Sequence, residues 1–520
     1  MPFSSESGKS YIKSFGLSGQ KIIDIGAGSG TYRKLFSELK GHWTAVEVWQ
    51  DYITKYALND LYDEVICKDA RTINYGNYDI AFVGDILEHM TTEEAQDMLA
   101  KLRKSCDTVI VSIPIGYYPQ DEYEGNPYEK HIVDNYSHEK IIEAFGKPTK
   151  YSIENEIGVY VYKKLEIAVY AISKNEEQFV ERFMRSCQDA DLVIIGDTGS
   201  TDNTVKLAKK YGAVVPEICI SPWRFDKARD AVLALIPREI DVCISLDLDE
   251  ILEDGWREEI ERVWTENTTR LRYKFDWGCG ISFYYEKIHA RHGYHWHHPV
   301  HEYPIPDGRI QEVYAHTDKL LVSHHPDPTK SRGQYMPLLE LAVKEDPRCP
   351  RNAFYYAREL TFYARWNEAI EALNKYLAMP EATWANERCY AMRLLGKSYE
   401  ETFNYWEALA WYRKACAEAP ITREPWCDLA MFCYRNSNWS ECLFSAQQAL
   451  AITNKQEVYT MAPEVWGYLP HDLAAISLWN LGYKKEALTH GKNALDLDPT
   501  NQRLIDNYKC FQNETIESVD

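Results

Sequence analysis

Asp247 and Asp249, separated by one leucine and followed directly by Glu250, stand at the end of the apolar run Cys243-Ile244-Ser245-Leu246. An apolar run of this kind bounded by polar residues predicts a buried strand. Alternate residues of a strand share a face, which would aim both aspartates at one site. Carboxylates this close repel one another unless a proton or a cation relieves them. A hard divalent ion that also grips a diphosphate meets that need. The plainer alternative is an acidic helix start, with Asp and Glu complementing the macrodipole.

The segments upstream read as the scaffold for such a site. Leu165 to Ile172 predicts a strand, and Ser173-Lys174-Asn175-Glu176-Glu177 then opens a helix with capping chemistry. A second strand, Leu192 to Gly196, runs into Asp197-Thr198-Gly199-Ser200-Thr201-Asp202-Asn203-Thr204 and a helix from Val205 to Lys210. Such a strand–loop–helix offers amides and a carboxylate to a nucleotide; a tight turn with an ordinary cap is the alternative. A third strand is expected over Ala213 to Ile218, and a helix carrying Arg229 over Phe225 to Leu235.

In spacing and order, S-K-N-E-E, D-T-G-S-T-D, A-R-D-A and L-D-L-D-E resemble family-two glycosyltransferases of the GT-A fold, over about 85 residues. The resemblance implies that Asp249 is the principal metal ligand and that Asp247 contacts ribose or binds through water. It implies that Asp197 meets the base, with Asn175 and Glu176 nearby, and that Arg229 contacts the nucleotide. The implied cofactors are a divalent metal, Mn2+ or Mg2+, and a nucleotide-sugar donor, UDP-linked; the metal would stabilise the departing diphosphate as a Lewis acid.

Nine of the 15 histidines fall between residues 289 and 325, yet the paired spacing of a structural zinc site is missing, so most are expected on the surface or hydrogen-bonded in the core. Two stand apart. His301-Glu302 resembles the H-E segment of tetratricopeptide-linked members of the same family. His324 resembles the distal histidine that completes metal coordination in many GT-A enzymes. Glu302 is the general-base candidate for the acceptor and Asp276 the reserve, although a glutamate is more often an ion-pair partner. No Q-x-x-R-W segment follows and no membrane helices flank the region, which points to one non-processive transfer. The family normally inverts the anomeric carbon.

The N-terminal third shows a different pattern. Lys21 to Ile25 runs into the turn Gly26-Ala27-Gly28-Ser29-Gly30 and a helical stretch from Tyr32 to Leu39. Further strands end near Glu47 and Asp85, and Val109 to Pro114 adds another, so a parallel, doubly wound sheet is expected. The glycine turn, Glu47, Asp69 and Gly84-Asp85-Ile86-Leu87-Glu88-His89 resemble class I S-adenosylmethionine-dependent methyltransferases over roughly the first 115 residues. By that resemblance Asp24, Gly26 and Gly28 line the methionine part, Glu47 the ribose and Asp69 the adenine edge, with Asp85 facing the donor methyl. The alternative is a domain that keeps the fold without catalysis. Residues 114–138, rich in tyrosine, suit an acceptor lid. No base stands out there, but methyl transfer needs mainly alignment.

Beyond residue 330 the pattern is helical. Arg365 to Leu373, Tyr405 to Tyr412, Asn438 to Leu443 and Tyr483 to Leu488 align with one another, with Ala369, Ala408, Cys442 and Ala487 at steps of 39, 34 and 45. A period near 34 resembles tetratricopeptide repeats with insertions. Such solenoids bind extended peptides or partner subunits; the plainer reading is a cap on the catalytic domain or a homodimer interface, and peptide binding and dimerisation stand equal.

We therefore expect an α/β plus all-α protein: a Rossmann-like methyltransferase domain (1–163), a GT-A domain (164–330) and a helical solenoid (331–520). A net charge of -21 argues against nucleic acid and anionic membranes as partners. No stretch approaches about 20 apolar residues, so membrane insertion is not expected. Met1 to Glu6 lack signal-peptide character, and 13 scattered cysteines without C-x-x-C suit a reduced, cytoplasmic protein. The expected activity is sugar transfer to a peptide, protein or glycan, with an attached methyltransferase. The alternatives are a methyltransferase whose sugar domain only binds, or a non-catalytic repeat scaffold.

Overall fold

The computed structural model describes residues 8–327 and 333–517. The expected boundary at 330/331 and the leader reading of Met1 to Glu6 lie outside the described residues.

The first sheet comprises β1 (Lys21–Ile25), β2 (His42–Val46), β3 (Glu64–Ile66), β4 (Tyr78–Gly84), β5 (Cys106–Pro114), β6 (Lys150–Glu154) and β7 (Ile157–Lys163). Their spatial order is β3-β2-β1-β4-β5-β7-β6. Strands β1 to β5 pair in parallel, but β7 runs antiparallel to both β5 and β6, so the sheet is mixed where a parallel one was expected. The cause is local. Asn155 and Glu156 join β6 to β7 with φ of 48° and 64°, and two left-handed residues in succession make a tight hairpin turn. Ile22 packs on one face of β1, and Ile23 and Ile25 pack on the other, as a central parallel strand requires. The strand order reverses between β1 and β4, which opens a crevice at their carboxyl ends.

The second sheet comprises β8 (Ile167–Ser173), β9 (Leu192–Asp197), β10 (Val242–Ser245), β11 (Glu250–Leu252), β12 (Arg270–Gly278), β13 (Ile281–Ala290) and β16 (Tyr314–His324); β14 (Tyr294–His297) and β15 (Tyr303–Pro306) form a separate ribbon. The order β11-β16-β12-β13-β10-β8-β9 places the parallel trio β10, β8, β9 at one side. Val169, Ile244 and Phe183 lie in one fully buried cluster, while Tyr170, Val232 and Trp296 lie in another.

Three expectations here are corrected. Ala213 to Ile218 forms two isolated bridges, Val214 to Ile194 and Glu217 to Asp197, in place of a strand; Pro216 has no N–H to give to a ladder. The helix after β8 spans Glu177–Ser186 without a side-chain cap of its own. Its first amides are bonded from across the crevice, Glu176 N to Thr204 Oγ1 at 2.7 Å and Glu177 N to Asp202 Oδ2 at 3.2 Å. Finally, β10 stops at Ser245, and Asp247 and Asp249 sit in a turn before β11, where Glu250 N donates to Asp247 O at 2.9 Å. Leu246 and Leu248 are buried and pin that turn to the core.

From Tyr335 onward the chain is helical. The four aligned segments open the helices Trp366–Leu377, Tyr405–Glu418, Trp439–Ala451 and Lys484–Leu497, each packed on the helix before it. Ala369, Ala408, Cys442 and Ala487 are all fully buried, so the repeat marks positions packed inside the helical region. The longest step holds an insertion that includes the short turn Pro463–Trp466. No helix among the described residues is long and apolar enough to cross a membrane.

Candidate functional site

The carboxyl ends of β8 and β9 meet in register at Ser173 and Asp197. Asp197 accepts from Gly199 N at 3.0 Å, Ser200 N at 2.9 Å, Ser200 Oγ at 2.5 Å and Ser173 Oγ at 3.1 Å. Burial alone would raise this carboxyl, but those donors outweigh it and hold it below its usual range. Four donors match the roughly four lone-pair positions of a carboxylate. Asp197 therefore shapes the 198–203 loop in this arrangement, where sequence reasoning had it reading a base. Asn175, with φ of 56°, clasps the same loop: its Oδ1 accepts from Thr201 N at 2.7 Å and its N donates to Ser200 Oγ at 2.9 Å. Glu176 is buried behind this clasp.

Next to this loop lies an acidic corner built around two buried cations. Arg229, from the helix Phe225–Leu235, donates to Asp247 Oδ1 at 2.6 Å, Glu302 Oε1 at 2.6 Å and Ser245 Oγ at 3.1 Å. Its guanidinium lies over the Trp296 ring at 4.8 Å. Lys287 on β13 reaches Glu250 at 3.2 Å and Asp247 at 3.5 Å. Burial works against the charge on Arg229, and Asp247 and Glu302 more than restore it. Two expectations change here. Arg229 is buried and spends its guanidinium on Asp247, Glu302 and Ser245, and Glu302, the expected base, is its ion-pair partner. Lys287 was missed. It stands in a tyrosine-rich strand, and only the antiparallel pairing of Ile244 with Ile288 brings it beside the acidic turn.

Asp249 faces elsewhere. Its Oδ2 lies 3.6 Å from His324 Nε2, with both side chains mostly buried. The approach follows from register, since β11 pairs Glu250 with His324. That separation is too long for a hydrogen bond and near the spacing of two ligands on one ion with bonds of about 2.1 Å. His324 Nδ1 is buried without a hydrogen-bond partner. Asp247, Asp249, Glu250 and Glu302 together bring four carboxylates to two cations, which leaves a negative excess suited to a divalent ion. Asp247, Asp249 and His324 are not, however, drawn together as one three-ligand cluster among the described residues. The residues present fit a metal at Asp249 and His324, with Asp247 held back by Arg229. Asp276 neighbours this pair, in register with Ser323, and its Oδ1 accepts from Gly278 N at 2.9 Å.

Three other histidines of this region are held structurally. His289 bonds Tyr170 OH, His292 meets the Arg238 carbonyl and His298 meets Asn352. The helical tail braces the corner. His301 stacks on Tyr355 with ring centroids 4.0 Å apart, and Arg351 donates to the His301 carbonyl.

A cleft opens at the β1/β4 crevice, lined by Gly26, Gly28, Glu47, Asp69, Asp85, His89 and others. Gly26 has φ of 67° and a Cβ there would meet Ile86 at 2.9 Å, so glycine is required. Glu47 accepts from Gly28 N and Trp49 N, both at 2.9 Å, one on each oxygen. Each oxygen keeps a lone pair for a diol, so Glu47 and the glycine turn fit an adenosine-type ligand. Asp69 is instead chelated by Arg71 through Nε and Nη2. Asp85, with φ of 52°, accepts from Ser112 Oγ at 3.0 Å. From the expected lid, Asn126, Tyr128 and Glu129 join the lining.

Asp24 is a correction. It lies buried outside the lining, accepting from Tyr62 OH at 2.5 Å. Burial pushes its carboxyl up to about 7. A folded-state value above the unfolded one adds stability that is complete below about pH 4 and lost as pH rises through about 7. Protection of β1 and β2 amides, corrected for intrinsic exchange, should therefore fall between pH 5 and pH 8, and Asp24→Asn should flatten that decline.

No protein-family model matches the chain. It is 32% identical over 99 residues to an uncharacterized glycosyltransferase of Rickettsia bellii, covering 19% of this chain and 32% of that protein. It is 30% identical over 103 residues to an uncharacterized glycosyltransferase of Rickettsia prowazekii, covering 20% and 34%. The chain thus spans about a third of the length of these curated relatives. Among solved structures, YrrB, a TPR protein with an unusual peptide-binding site, aligns at TM-score 0.28 and 16% identity over 34% of this chain and 83% of its own. A putative O-methyltransferase from Nostoc punctiforme aligns at 0.24 and 16% over 29% and 53%. Both scores are too low to bear on function.

Proposed function

We propose that this protein moves a single sugar from a nucleotide sugar to a peptide, protein or glycan acceptor. The observation that carries the reading is the Asp249–His324 pair at the carboxyl edge of the second sheet, with excess negative charge around it. The partial likeness to proteins named glycosyltransferases supports it.

Asp249 and His324 would hold a divalent ion, Mn2+ or Mg2+, which supplies Lewis-acid relief of the charge on a leaving diphosphate. The 198–203 loop, held in shape by Asp197 and Asn175, forms the surface that receives the nucleotide, UDP in the simplest case. Arg229 fixes Asp247 and Glu302 so that the acidic turn keeps its shape. Asp276, beside the pair and with one oxygen already oriented by Gly278 N, is the base that takes the acceptor proton in an inverting displacement. The cleft at β1/β4 supports a second activity, methyl transfer from S-adenosylmethionine, with Glu47 on the ribose and Asp85 towards the methyl group. The alternative is that methylation is the principal reaction and the second sheet's site only binds.

Calorimetric titration of the full chain separates these. UDP should bind measurably with Mn2+ and at least about tenfold more weakly without it, a difference of about 1.4 kcal/mol. S-adenosylmethionine binding with no Mn2+-dependent nucleotide binding would leave the methyltransferase reading alone.

A further inference from the structure

Glu88, His89 and His131 each place a ligand atom within 4.8 Å of the others'. No sequence feature joins them: Glu88 and His89 end the β4 segment in the turn Leu87–His89, and His131 comes from the loop after Pro127–Glu129. We propose that these three residues form a binding site for a divalent transition-metal ion, distinct from the Asp249–His324 pair.

Each ligand is prepared for that role. Glu88 is 1% exposed, and its Oε2 is buried with no hydrogen-bond partner. An unpaired buried carboxylate oxygen costs free energy unless something fills the position. His131 Nδ1 lies 2.6 Å from the Tyr118 carbonyl, and His89 Nδ1 lies 3.2 Å from the Lys130 carbonyl. A carbonyl only accepts, so both Nδ1 atoms carry the proton and both Nε2 lone pairs are left to coordinate. This backbone arrangement is the usual second layer around metal-binding imidazoles.

The geometry is fixed from both sides. Ile132 N and Val133 N both donate to the Glu88 carbonyl, at 2.8 and 3.0 Å, and His131 N donates to the Gln120 carbonyl at 2.9 Å. The loop bearing His131 is thereby tied to the same residue that offers the carboxylate. The His89 and His131 rings meet edge to face with centroids 4.9 Å apart.

Two imidazoles and one carboxylate select a first-row ion such as Zn2+, Fe2+ or Co2+ over Mg2+ or Ca2+. Three protein ligands leave positions open, and His89 lines the β1/β4 cleft. The further ligand is therefore an oxygen donor from that cleft, water or the hydroxyl of a polyol.

The test uses full-length protein carrying Asp249→Ala, freed of metal with a chelator, so that the other candidate site is disabled. Titration with Co2+ should give one equivalent bound, with a visible absorption band from imidazole-coordinated cobalt. His131→Ala and Glu88→Gln in that background should each weaken binding by about tenfold or more and diminish the band. His131 lies in a loop, so its variant provides a check free of core packing, and circular dichroism verifies both folds. No cobalt bound to the Asp249→Ala protein, or the same stoichiometry and spectrum in both added variants, overturns the proposal. Because no nucleotide enters the experiment, its failure is separate from any failure of the sugar-transfer reading.

Discussion

If the proposed sugar transfer holds, Asp249→Ala should cut Mn2+-dependent turnover of a nucleotide sugar severely while leaving the fold in place. Asp249 lies in a turn whose anchors are Leu246 and Leu248, and its carboxylate faces His324, so its loss removes little packing. What it removes is one of two groups positioned to hold the ion. If that ion supplies several kcal/mol of transition-state stabilisation, the rate falls by on the order of a thousandfold. Hydrolysis of a UDP-sugar panel, with release of UDP as the readout, measures this. His324→Ala should act in the same direction, and the two changes together should cost little more than either alone, since they disable one unit. Undiminished turnover in either variant would reject the assignment of this pair.

The second large effect is on stability. Arg229→Met leaves Asp247 and Glu302 near one another without their shared cation, and removes the guanidinium stacked on Trp296. Breaking a buried ion pair by deleting one partner costs about 3–5 kcal/mol. Asp247 is 42% exposed, so water relieves part of the penalty there, whereas the Glu302 side chain at 9% has little such relief. The expected loss is towards the lower end, read as reduced amide protection along the helix Phe225–Leu235. Arg229→Lys should rescue little, because one ammonium cannot reproduce the fork that reaches Asp247, Glu302 and Ser245. Adding Glu302→Gln to Arg229→Met should recover part of the stability by removing the stranded charge. A stabilised double variant with intact turnover would also show that Glu302 is not the base.

Much of the scaffold was legible because apolar runs flanked by turn residues mark strands. The helix Phe225–Leu235 and the ends of β9 and β4 fall where periodicity and glycine placed them. Local chemistry misled where partners came from elsewhere. The alternation of Asp247 and Asp249 looks like strand geometry, yet Leu246 and Leu248 anchor a turn. Glu302 reads as a base until Arg229 is seen beside it. Lys287 and Asp276 gain their meaning from sheet register, which no local pattern discloses. The Glu88, His89 and His131 cluster was hidden for the same reason: the loop that supplies His131 is tied back to Glu88 by backbone bonds. In the tail, small residues at a near-regular period were enough, since close packing of paired helices tolerates little else there.

A crystal of the full chain soaked with UDP and Mn2+, with data collected at the manganese absorption edge, tests the central claim most directly. The account predicts an anomalous peak between Asp249 and His324, bonded to diphosphate oxygens, with the uridine against the 198–203 loop. Nucleotide bound in another part of the molecule, with no manganese at this pair, would contradict it.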